Sequence, residues 1–132
     1  MFYSSLRNLI IGYSLERRIN MIVKKSERER HENAPTYIVY EHNHGDNNID
    51  IAEAEIRGRY PEKGYSVNEQ CKELFLVSEG SGKIEIDGEI FELNKGDSVL
   101  IQPKQKYFFE GNLDLVITCR PAWNVDQYKV IE

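Results

Sequence analysis

At 132 residues, with 40% hydrophobic and 30% charged side chains, the chain has the size of one domain and an ordinary globular composition, which excludes a fibrous or wholly disordered protein. A formal net charge of −5 argues against non-specific attraction to nucleic acid or to anionic lipid. Two cysteines, Cys71 and Cys119, do not make a disulfide framework, so a reduced, cytoplasmic setting is expected.

Near the start, Phe2, Leu6, Leu9, Ile10 and Tyr13 recur at helical spacing, which predicts a short amphipathic helix able to dock on a sheet or a partner. The apolar run Leu9-Ile10-Ile11 is too short for a secretory signal or a membrane span. An equal reading takes Met21 as the true start and residues 1–20 as an appendage. Residues 24–33, KKSERERHEN, form a mixed charge run of the kind that serves as a solvated linker. Residues 1–34 are therefore read as an extension and 35–132 as the folded domain.

Tyr37-Ile38-Val39-Tyr40 is rich in β formers, is followed by the turn cluster HNHGDNN, and gives way to a second β pattern from Ile49 to Ile56. Ala52, Ala54 and Ile56 alternate with Glu53, Glu55 and Arg57 as in a half-buried antiparallel strand. Ile49 and Ile51 break that phase and predict a bulge near residue 51 or a further buried face. In residues 83–93, Asp87-Gly88 joins two β-rich arms at the length of a type I′ hairpin. That turn sets Ile84 opposite Phe91 and Ile86 opposite Glu89, with Ile84, Ile86, Phe91 and Leu93 on the core side. Further strands are expected at 73–78, 98–101, 107–109 and 113–119, a spacing that points to a sandwich or barrel.

From about Arg59 to Glu132 the chain resembles the cupin superfamily of small jelly-roll β-barrels. Glu73 followed by Leu74-Phe75-Leu76-Val77-Ser78-Glu79-Gly80 resembles the second half of the family's first motif. Where that motif places an H-x-H pair, this chain has Ser66, Val67, Asn68 and Glu69. Gly96-Asp97-Ser98-Val99-Leu100-Ile101-Gln102-Pro103 resembles the second motif, with Tyr107 in place of its histidine and Gly111-Asn112 closing it. The resemblance implies an all-β, cupin-like antiparallel jelly-roll barrel. It implies no one activity, because the fold hosts oxygenases, isomerases and epimerases, storage proteins and sensory domains.

Without histidines at these positions, no cofactor is expected, and the leading reading is a metal-free barrel that binds a small, carbohydrate-like organic molecule. The alternative is an isomerase, epimerase or metal-dependent oxygenase using Glu73 and Tyr107 or unusual ligands. Glu73, Tyr107, Phe109, Cys71 and Trp123 are the candidate ligand-binding residues, with Tyr60 at the rim. An inward, metal-free Glu73 would have a raised pKa and could act as acid or base. Glu69, Cys71 and Glu73 share parity and form one candidate divalent-metal set; His42 and His44, two apart in a turn, form another. Lys104 and Lys106 are expected to face solvent. A homodimer that covers exposed strand edges is a further expectation.

Overall fold

The computed structural model describes residues 20–132, so the helix expected over residues 2–13 lies outside the described residues. Nine strands follow a 3-10 turn at Lys25–Glu27: β1 (Glu29–Ala34), β2 (Tyr37–His42), β3 (Asp50–Tyr60), β4 (Tyr65–Asn68), β5 (Lys72–Ile86), β6 (Glu89–Asn94), β7 (Ser98–Ile101), β8 (Tyr107–Arg120) and β9 (Tyr128–Ile131). A second 3-10 turn, Val125–Gln127, leads into β9. The sheet runs β1-β2-β3-β8-β4-β9, and β5 pairs with β6, β7 and β8. All pairings are antiparallel, and the sheet curls into a half-barrel around one apolar core. Among the described residues no helix is long and apolar enough to cross a membrane.

Local signals in the sequence are met where pairing is local. Asp87 and Gly88 both have positive φ, +49° and +89°, as a type I′ turn requires, and Ile84 pairs with Phe91 and Ile86 with Glu89. Gly96-Asp97 makes the tight turn into β7: the Asp97 carboxylate accepts the Asn94 N–H at 2.7 Å, and the Asp97 carbonyl accepts the Val77 N–H. Ala54 and Ile56 are buried on β3, whereas Arg57 is exposed. Lys104 and Lys106 are exposed, as expected.

Four local expectations are corrected by long-range pairing. Part of the charge run read as linker is β1, whose residues Glu29 to Glu32 pair in register with β2, so the sheet starts at Glu29. No bulge occurs near residue 51: β3 stays in register with both neighbours, and Ile51 lies opposite His42 and Thr118, 37% exposed. Phe91 is not core but 42% exposed, although Ile84 opposite it and Leu93 two residues on are buried, so the core covers that face of the hairpin only in part. The strands expected at 107–109 and 113–119 are one strand, β8, and that at 73–78 continues through the hairpin arm as β5. The glycines Gly80, Gly82 and Gly111 lie within these continuous strands. Gly111 faces Gly58 on one side and Gly82 on the other, and a Cβ at Gly111 would lie 2.5 Å from the Gly82 Cα. Only hydrogen at these positions lets three backbones approach where the sheet curls.

Candidate functional site

The curl of the sheet leaves a pocket of about 760 Å³. It runs from exposed Glu29 and the loop 43–47, past Tyr37, Val39 and Glu41 of β2 and Asp50 and Ala52 of β3, to buried Glu73, Tyr107, Ile117 and Cys119. Tyr60, Trp123 and Tyr128 complete an aromatic wall, in which Tyr37 stacks on Tyr60 with ring centroids 4.1 Å apart and Trp123 meets Tyr128 at 5.6 Å.

At the inner end, Glu73 is 6% exposed and sits directly opposite Cys119 on β8 and Ile101 on β7. Its Oε1 accepts two hydrogen bonds at 2.7 Å, one from the Asn68 amide and one from the Tyr107 hydroxyl. The Cys119 thiol lies 3.3 Å from Oε2 and donates to it. Asn68 in turn accepts from the Trp123 indole N–H at 3.1 Å and from the Gln127 amide at 2.8 Å. Gln127 accepts the Gln70 and Cys71 backbone N–H groups, which ties the turn before β5 to the start of β9. Asp50 holds the opposite wall by accepting the Cys119 and Trp123 backbone N–H groups at 3.1 and 2.9 Å. Every buried side-chain nitrogen and oxygen among the described residues has a partner, which is the condition for such a network to rigidify a core.

Burial is the dominant force on the Glu73 carboxyl and pushes its pKa upward; the Asp50 charge adds to the rise, while the hydrogen bonds from Tyr107, Cys119 and Asn68 oppose it. Burial likewise raises Tyr107 and Cys119, each further raised by the charge of Glu73. For Glu73 the unfolded chain releases its proton near the ordinary value of about 4.3, whereas the folded state keeps it to higher pH. Over that window the unfolded state binds fewer protons, so folding stability falls as pH rises through it. Urea unfolding from pH 4 to 8 should therefore show declining stability in the wild type and a flatter profile in Glu73→Gln. Equal slopes would assign the pH response to Glu41 and Asp50, both also raised by burial.

Of the residues singled out from sequence, Glu73, Tyr107, Trp123 and Tyr60 line the pocket. Phe109 and Cys71 do not. Phe109 is 2% exposed and packs edge-on against Phe75 and Tyr107, deep in the core. Cys71 is fully buried, donates its thiol to the Pro121 carbonyl at 3.3 Å, and has its pKa raised by burial to about 11, so it is an inert packing group. Glu69 pairs with Lys129 at 2.9 Å on the surface and does not join Cys71 and Glu73 in a metal set. His42 and His44 are also separated, with His42 bonded to Glu53 and His44 to the Asn20 carbonyl.

Asn68 and Gln127 belong to the hydrogen-bond network behind Glu73, and sequence reasoning missed them. Asn68 carried one signal, since it stands where the family resemblance puts histidines; Gln127 carried none. The donors at those family positions do not fit a divalent metal. The Asn68 amide nitrogen and the Tyr107 hydroxyl point their hydrogens at Glu73, saturating one carboxylate oxygen instead of converging with it on a shared cation. Among the described residues, one other group could hold a metal ion: Glu29, His31 and Glu41, whose ligand atoms lie within 4.8 Å of one another at the exposed end of the pocket.

The curled antiparallel sheet has a cupin-like jelly-roll fold. Among solved structures it is similar to Pac13 of Streptomyces, a nucleoside dehydratase, with TM-score 0.78 and 16% identity over 86% of this chain and 92% of that one. It is also similar to an RmlC-like cupin of Shewanella frigidimarina, with TM-score 0.66 and 17% identity over 80% of this chain and 95% of the other. KdgF of Halomonas sp. superposes with TM-score 0.65 and 16% identity, covering 81% and 97% of the two chains. These likenesses concern the fold. In sequence, the chain is 34% identical over 65 residues to the uncharacterized protein MJ1618 of Methanocaldococcus jannaschii, a match covering 46% of this chain. The chain spans about half the length of that curated relative, 52%. No family model matches.

Proposed function

We propose that this barrel binds a small, uncharged, hydroxyl-bearing organic molecule of the carbohydrate or nucleoside kind, with no metal at the position where cupins concentrate their histidines. The observation that carries the reading is the inner end of the pocket. A buried carboxyl, a phenol and a thiol meet there beneath aromatic walls, which suits a ligand with hydroxyls at one end and a flat or apolar face along its length. The likeness to Pac13, whose structures include complexes with uridine, supports a ligand of that size. A homodimer would cover Leu74, Leu76 and Leu100, three exposed leucines on the outer face of β5 and β7.

A second reading, acid/base catalysis by Glu73 on the bound molecule, is favoured by one observation. The carboxyl lines the pocket and burial holds it above the ordinary carboxylate range, which favours the protonated form that a general acid needs to donate to a leaving oxygen. A dehydration needs such a group, and Pac13 is a nucleoside dehydratase.

The test is calorimetric screening of neutral sugars and nucleosides with untagged protein, followed by two variants. Tyr107→Phe keeps the ring and removes the hydroxyl, and should stay folded and bind about 0.5–1.5 kcal/mol more weakly. Glu73→Gln should retain binding but abolish turnover of any ligand that is converted. Unchanged affinity in both variants, with the fold intact, would place the site elsewhere.

A further inference from the structure

Among the described residues that line the pocket, the acidic groups have no basic Lys or Arg counterpart. The lining includes the carboxyl groups of Glu29 and Glu41 at the exposed end and Asp46 and Asp50 along the wall, and among the described residues it includes no lysine or arginine. Among the described residues, Arg28 pairs with Glu53 at 2.7 Å, Arg57 with Asp114 at 2.8 Å, and Arg59 lies over the Phe108 ring, while Arg120, between Cys119 and Pro121, is exposed and is not part of the lining. His31 lies 3.2 Å from Glu41 and 3.9 Å from Glu29, between the two mouth carboxylates, and of the two histidines in the lining, His42 is bonded to Glu53 and His44 to the Asn20 carbonyl. The N–H groups that Asp50 and Glu73 accept are dipoles and add no net positive charge. In a concave site with low-dielectric walls, charges of one sign reinforce one another at the entrance.

Resting on the reading of the barrel as a small-molecule binder, we infer that the pocket selects its ligand by charge. It admits neutral molecules and those bearing an ammonium group, and it rejects phosphate and carboxylate. Its ligands are thus nucleosides and not nucleotides, or sugars and amino sugars and not sugar phosphates or sugar acids. An anion entering here would lose its hydration with no lysine or arginine of the described lining to replace it, and would pass Glu29 and Glu41 at the mouth. An ammonium group would find those two carboxylates already on adjacent strands and facing the same side.

The experiment uses matched series on the full chain: uridine, 5′-amino-5′-deoxyuridine and uridine 5′-monophosphate, and glucose, glucosamine, glucose 6-phosphate and glucuronate. Affinities are measured by calorimetry at low and high ionic strength. In whichever series binds, the anionic members should be weaker than the neutral one by about tenfold or more at low salt, and the amino member should be at least equal to it. The gap should shrink at high salt and in the double variant Glu29→Gln, Glu41→Gln, which changes one exposed and one half-buried side chain and whose fold is checked by its melting profile. A phosphate or carboxylate that binds as tightly as its neutral counterpart overturns charge selection and leaves the binding reading standing. An undiminished gap in the double variant overturns the assignment to the mouth carboxylates. Failure of every member to bind overturns both the selection and the reading beneath it.

Discussion

Truncation of Phe109 to Ala should cost about 3–5 kcal/mol of folding stability and leave ligand affinity unchanged. The ring is 2% exposed, lies 4.9 Å from Phe75 and 5.9 Å from Tyr107 between ring centroids, and sits on β8 between β3 and β5, opposite Tyr60 and Ile84. Removing it leaves a void ringed by strands on both sides, where backbone pairing resists collapse, so the cavity penalty adds to the lost apolar burial. Because the ring is not part of the pocket lining, the effect should be read in the urea midpoint and not in a binding isotherm. A loss under about 1 kcal/mol would show that the barrel can close over the gap.

Asn68→Ala should be nearly as severe, by about 3 kcal/mol, although it removes far less apolar surface. Its amide oxygen is the acceptor for both Trp123 and Gln127, and its amide nitrogen is a donor to Glu73. Each buried group left without a partner costs about 1–3 kcal/mol, and the three are coupled, so the sum is not simply additive. The damage should spread to the turn before β5, since Gln127 also holds the Gln70 and Cys71 N–H groups. Asn68→Asp separates shape from charge. It preserves the acceptor for Trp123 and Gln127 but places a second carboxylate beside Glu73, so its destabilisation should grow as pH rises. Chemical denaturation at pH 5 and pH 8 reads both effects. A wild-type midpoint in Asn68→Ala would show that water replaces the amide at no cost.

Several parts of this protein are legible in the chain because their causes are local. Asp87-Gly88 forms its hairpin since only two residues must adopt positive φ, and the register of Ile84 and Ile86 follows from the turn. Parity likewise places Ala54 and Ile56 inward on β3. Motif spacing brings attention to Glu73 and Tyr107, which meet at 2.7 Å although 34 residues separate them.

Other features depend on which strands become neighbours, and period-two alternation carries no information about that. It says that Tyr107 and Phe109 point the same way, but the position of each along the barrel decides that one lines the pocket and the other is sealed in the core. It cannot show that Phe91 stays exposed while Ile84 opposite it is sealed in the core, or that Gly58, Gly82 and Gly111 fall in one row within three continuous strands. Nor can it bring Gln127 to Asn68 across 59 residues. By itself the sequence determined turns, strand phase and an all-β barrel. Tertiary structure decided which inward residues meet empty space, which carboxyl is desolvated, and which polar groups complete one another's hydrogen bonds, because burial and pairing are properties of non-local contact.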